Sequence, residues 1–163
     1  MDFKDMMTKL AASAAKGDGA AVASCFCEDG VYHDVYYGAF KGREAIADMI
    51  ENWFHRDGED FIWDIHDPVS DGQTGYARYV FSYKSKLPES KGARAGFEGV
   101  SVVRLRDGLI EHYSEIANTG PGLIDLGFSP ERVCKILTKF GNEVWEREEA
   151  RAHKNIRPKA IGD

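Results

Sequence analysis

The stretch Val31-Tyr32-His33-Asp34-Val35-Tyr36-Tyr37-Gly38 sets a carboxylate and a histidine among three tyrosines. A carboxyl walled by aromatic rings loses hydration, its pKa rises, and it can exchange protons near neutral pH. A neighbouring phenol can donate a hydrogen bond to an oxyanion or hold the acid in place. Side chains of an extended chain alternate, so Tyr32 and Asp34 share one face, with His33 and Val35 on the other. Asp34 is therefore the candidate general base, Tyr32 its candidate assistant and His33 a structural residue. The plainer alternative is a solvent-exposed Asp at a strand end with Tyr32 in the core.

A second candidate lies in Leu109–Ile116, where alternation groups Ile110, His112, Ser114 and Ile116 on one face and Glu111, Tyr113 and Glu115 on the other. His112 is then either a satisfied core histidine or an acid–base group paired with a carboxylate. Arg78 interrupts an aromatic run: it is an ion-pair partner for Glu98 across a sheet, or it binds a phenolate or carboxylate in a pocket. Trp53, Phe54, Phe81 and Phe97 are candidate pocket walls, and Ser101 and Ser114 candidate hydroxyl contacts to a substrate.

Other clusters point to less. The five histidines have no His-x-x-x-His spacing, His66-Asp67-Pro68 reads as a turn, and Gly17-Asp18-Gly19 follows a helix as a stop, so no metal, phosphate cradle or cofactor is implied. Cys25, Cys27 and Cys134 are an odd set and read as packing residues.

The elements that must position these residues follow from periodicity. Phe3, Met6, Met7, Leu10 and Ala14 recur at helical spacing; Ala20 to Cys27 reads as a second short helix, and Ile46, Met49, Ile50 and Trp53 or Phe54 as the stripe of a third. Beyond Gly58 the period becomes two, giving strands at 61–65, 76–83, 97–105 and 109–116, with Asp71-Gly72 and Asp107-Gly108 as tight turns. Ser129-Pro130-Glu131 opens a last helix with an apolar face of Val133, Ile136, Leu137, Phe140 and Val144, and a charged helical tail follows Trp145. Helices followed by a run of strands indicate an α+β fold, helices packed on one face of a curved antiparallel sheet. The 163 residues, 43% of them hydrophobic, suit one core, and the net charge of −6 argues against a nucleic-acid surface. With no long apolar run or signal-like start, the chain is expected to be cytoplasmic and off the membrane.

Four local words carry a family resemblance: Lys16-Gly17-Asp18, Phe26-Cys27-Glu28-Asp29-Gly30, Lys41-Gly42-Arg43-Glu44-Ala45-Ile46 and Arg106-Asp107-Gly108-Leu109-Ile110. In this order and spacing, over roughly residues 5 to 120, the chain resembles the SnoaL-like, nuclear-transport-factor-2-like superfamily. The resemblance implies a cone, a strongly bent antiparallel sheet closed by N-terminal helices around a pocket, in a domain spanning 1–127. Residues 128–163 would add a C-terminal helix and polar tail packed on that domain. It also implies a homodimer or higher homo-oligomer. Relatives include polyketide cyclases, ketosteroid isomerases, epoxide hydrolases, scytalone dehydratase, aryl-propanediol formaldehyde lyases and non-catalytic binding domains. Asp34 matches the general-base aspartate of the isomerase-like members, and an Asp34–His112 pair would resemble the dyads of the dehydratases. The isomerases' oxyanion donors are replaced here by Leu10 and Ser101. The expected function is a cofactor-independent acid–base lyase on a small aromatic or polycyclic hydroxylated substrate, by dehydration or formaldehyde release. An isomerase or cyclase using the same base, or a small-ligand-binding domain, remain alternatives.

Overall fold

Asp2 starts the first helix by accepting the Asp5 N–H at 2.8 Å, and Gly17, at φ 75, ends it. This helix, α1 (Phe3–Lys16), buries Met6, Met7, Leu10 and Ala14. In the computed structural model, which describes residues 1–154 and 156, the chain forms two units, Met1–Gly127 and the segment from Phe128 onward.

In the first unit α2 (Gly19–Ala23) is shorter than its periodicity suggests. Phe26 and Cys27 belong instead to β1 (Phe26–Asp34), which is joined to β2 (Gly38–Lys41) by a turn at the tyrosine-rich stretch. Phe26 is buried in either arrangement, so apolar spacing alone could not separate helix from strand here. The third helix, α3, runs from Arg43–Asp48 through a π-helical stretch, Met49–Phe54, to a last turn, His55–Asp57. Then come β3 (Gly58–Ser70), β4 (Thr74–Ser85), β5 (Arg94–Arg106) and β6 (Leu109–Asn118). A short helix that the sequence reading did not anticipate, α4 (Gly120–Asp125), packs on β5.

The six strands make one sheet in the order β2-β1-β6-β5-β4-β3. Neighbours are antiparallel except β1 and β6, which run parallel. The fold is thus the expected α+β cone, with one parallel seam where the first strand returns to the last. The core lies between the helices and the sheet: Leu10, Ile46, Met49 and Ile50 meet Phe26, Tyr32, Val103, Ile110 and Tyr113, all buried.

One irregularity matters for the site. On β5 and β6, Leu105 faces Ile110 but Arg104 faces His112, so Glu111 is an additional residue in β6. Such a bulge resets strand alternation: residues that would share a face on either side of it no longer do.

In the second unit Ser129 accepts the Arg132 N–H at 3.3 Å and starts α5 (Pro130–Glu146). Arg147, in extended conformation, breaks it before a 3-10 turn, Glu148–Ala150, and α6 (Arg151–Lys154). The charged tail is therefore interrupted rather than one helix, and its remainder, at 155 and from 157 on, lies outside the described residues. Cys134 is exposed here, unlike the buried Cys25 and Cys27. Among the described residues no helix is long and apolar enough to cross a membrane.

Candidate active site

The inner faces of β1, β3, β4, β5 and β6, with the end of α3, surround a cavity of about 530 Å³, counted to its open mouth. Ten of its fifteen lining residues are aromatic, three are carboxylic acids (Asp34, Asp57 and Glu115), and none is Lys, Arg or His.

Asp34 ends β1 facing inward and is only 5% exposed, while His33 beside it is exposed. The chain then folds over the carboxylate, so that Oδ1 accepts the N–H groups of Tyr36 at 2.8 Å and Tyr37 at 2.9 Å. Aspartate favours such turns because its short side chain reaches the backbone two and three residues on. Oδ2 accepts no hydrogen bond from the described residues. Burial raises the Asp34 pKa above the usual carboxylate range, and the two N–H donors oppose that rise.

Glu115 comes to the same cavity from β6. Its carboxyl is pushed up to about 8, first by burial and then by the charge of Asp34, against the opposing hydrogen bond donated by the Tyr79 hydroxyl. Tyr79, fully buried, lies across Gly99 on the neighbouring strand: a Cβ at Gly99 would stand 2.5 Å from the phenol oxygen. A side chain there would displace the ring, so glycine at this position is what lets Tyr79 reach Glu115. Burial, then the charge of Glu115, pushes the phenol far above its ordinary value, so Tyr79 keeps the proton it donates to Glu115.

Asp57 differs in kind. Arg56 grips it through Nε and Nη2, both at 2.7 Å, and Tyr37 donates to it at 2.8 Å. The guanidinium holds its carboxyl below the usual range. Its charge is spent on that clamp, which also ties the turn over Asp34 to α3.

Several expected site residues lie elsewhere. His112 does not line the cavity: the bulge at Glu111 turns it to the outer face and brings Tyr113 and Glu115 inward. Burial, then His33 and Arg104 nearby, lowers its pKa, which favours the neutral imidazole. Ser114 shares that outer face, bonding the Val102 carbonyl at 3.5 Å. Arg78 pairs with Asp67 at 3.3 Å, neither with Glu98 nor with anything in the cavity. Trp53, 38% exposed, stands outside, edge-on to Tyr37 and Phe40. Ser101 is wholly buried behind the wall, 3.0 Å from the Tyr113 hydroxyl, and the Tyr113 ring packs 4.5 Å from that of Tyr32. Tyr32, Phe54, Phe81 and Phe97 do line the cavity together with Asp34. Glu115, Tyr79 and Asp57 escaped the sequence reading. For Glu115 a signal existed: Tyr113, a large ring two residues earlier, belongs inside, and Glu115 shares its face. Among the described residues no three His, Cys, Asp or Glu side chains are placed to hold a metal ion.

The family model of the SnoaL-like domain matches residues 7–113. This chain belongs to the SnoaL-like domain family. Comparison with curated proteins returns no match. Among solved structures, the SnoaL-like chain is similar to TsrD from Streptomyces laurentii (TM-score 0.64, 21% identity, covering 76% of this chain and 93% of that one). A protein of ketosteroid isomerase-like fold from Catenulispora acidiphila, in complex with trimethylamine, superposes with TM-score 0.66 at 20% identity over 80% of this chain and 98% of its own. An LEH-like epoxide hydrolase of M. tuberculosis does so with TM-score 0.61 at 16% identity over 82% and 92%. At these identities the likeness establishes the shared cone fold.

Proposed function

We propose that this SnoaL-like chain is a cofactor-independent acid–base enzyme that carries out elimination on a small aromatic hydroxylated compound. The observation that carries the reading is the pairing of Asp34 and Glu115 in one aromatic cavity with environments that part their roles. Asp34, whose anion is favoured by two backbone N–H groups, is the base. Glu115, protonated at neutral pH, is the acid, taking the place expected for His112. Asp34 removes a proton from carbon, the electron pair forms the alkene, the carbon–oxygen bond breaks, and Glu115 protonates the leaving hydroxyl as water. If the proton comes instead from a hydroxymethyl oxygen, that oxygen becomes the carbonyl of formaldehyde as the carbon–carbon bond breaks, the freed electron pair forms the alkene, and the hydroxyl on the next carbon leaves as water protonated by Glu115. The ring-lined walls suit a flat aryl group.

The test is incubation with a panel of aryl alcohols and aryl diols in deuterated water, followed by NMR for deuterium uptake at carbon and for alkene or formaldehyde. Wild type should exchange or eliminate, and the nearly isosteric Asp34→Asn should lose about 10²–10⁴ of the rate while still binding. A panel bound but never exchanged, with Asp34→Asn behaving as wild type, points to the binding-domain alternative.

Self-association as a homodimer completes the reading. Its support is the outer face of the sheet, where Tyr76, Val80 and Ile116 are 47%, 43% and 65% exposed beside Val100 and Val102.

A further inference from the structure

The cavity has a charge character that the proposed reaction leaves unused. Its three acids face no basic side chain in the lining, and the one guanidinium nearby, Arg56, is committed to Asp57. Asp34 therefore has no countercharge among the residues that line the cavity, and Glu115 shares that space as a neutral acid. Asp34 is also 95% withdrawn from solvent yet keeps Oδ2 unclaimed by any described residue, and it lines the space a ligand would fill. An anionic ligand, a carboxylate or phosphate, would meet repulsion there and no partner.

The rings are set at angles to one another. Phe81 and Phe97 are 5.2 Å apart at 54°, Trp63 and Phe81 5.6 Å apart at 77°, and Tyr79 and Phe97 6.4 Å apart at 74°. Ten aromatic rings wall this space, and ring faces carry the negative potential that attracts a cation. Acid and aromatic wall thus select the same kind of ligand.

We infer that the substrate of this cavity is an arylalkyl amine, with its ammonium group seated against the ring faces beside Asp34. This rests on the reading of the cavity as a substrate site and narrows its occupant, from an aromatic hydroxyl compound to an aryl amino alcohol. The ammonium balances the Asp34 carboxylate and holds it anionic, the form a base requires.

The test compares three probes of similar size by calorimetry and ligand-observed NMR: benzyltrimethylammonium, its neutral isostere neopentylbenzene, and phenylacetate. The cation should bind at least about tenfold more tightly than the neutral isostere, and phenylacetate most weakly. Asp34→Asn, whose amide oxygen can still accept the two backbone N–H groups, should erase most of that preference while leaving neopentylbenzene unchanged. Phe97→Leu should weaken the cation more than the isostere. Equal or tighter binding of the neutral probe, comparable binding of phenylacetate, or binding of none of the three overturns the inference. Because these probes do not turn over, cation preference in a protein without elimination activity keeps the inference and rejects the proposed reaction. Neutral preference with Asp34-dependent exchange does the reverse.

Discussion

Glu115→Gln replaces a carboxyl that the fold keeps protonated with an amide of nearly the same shape. The unfolded chain ionises Glu115 near the ordinary value of 4.5, whereas the folded chain holds its proton until about 8. Between those values folding must take up a proton. Glu115 therefore contributes no penalty below about pH 4.5, and its penalty grows as pH climbs toward 8. At about 1.36 kcal/mol per pH unit, the penalty reaches roughly 3 kcal/mol at pH 7. Glutamine is neutral in both states and avoids it, and its amide oxygen can still accept the Tyr79 hydroxyl. The variant should gain on wild type with rising pH, from near zero around pH 4 to roughly 3 kcal/mol at pH 7, while losing catalytic turnover. Carboxyls shifted for other reasons, such as Asp57 and Asp71 held low by their hydrogen bonds, are common to both proteins and cancel in the difference. The assay is urea unfolding followed by circular dichroism at unit steps of pH. Parallel stability curves for the two proteins would refute the claim that Glu115 is folded in its protonated form.

Other outcomes follow from the same geometry. Activity should fall as pH rises through about 8, where Glu115 gives up its proton, and Glu115→Gln should remove that limb from the pH–rate profile. His112→Asn, on the outer face, should leave kcat/KM within about twofold of wild type; a loss of a hundredfold would return His112 to the reaction. Gly99→Ala puts a methyl group where the Tyr79 ring lies, so it should cost about 1–3 kcal/mol of stability by urea unfolding and, as the ring shifts and its hydrogen bond to Glu115 weakens, raise the Glu115 midpoint. Ile116→Lys should shift the protein to monomer in sedimentation if the open sheet face is the dimer contact.

The cone was legible because its signals are local. Gly17 stops α1, and the apolar spacing of Met6, Leu10 and Ala14 marks the face that is buried. At β1, plain alternation set Tyr32 and Asp34 on one face and His33 on the other, and the fold turns the Tyr32 and Asp34 face inward. At β6 the same rule failed, since it assumes an unbroken period of two and the residue at Glu111 breaks it. The partner of Asp34 was therefore sought at His112, whereas the side chain that shares its cavity is Glu115. The aromatic run around Arg78 suggested a pocket cation, but strand pairing sets it opposite His66 and within reach of Asp67 on the outer surface. The clamp of Arg56, Asp57 and Tyr37 joins the end of α3 to the turn after β1, a contact across twenty residues that no periodicity records.

The most direct test of the account is a carboxyl ¹³C NMR titration of selectively labelled protein, with Glu115 assigned by its loss in Glu115→Gln. The account predicts a Glu115 midpoint near 8 that moves toward ordinary glutamate values in Asp34→Asn, because the Asp34 charge is one of the two causes that raise it. A Glu115 midpoint between about 4 and 5 that is the same with and without the Asp34 carboxylate would contradict a coupled acid pair in this cavity.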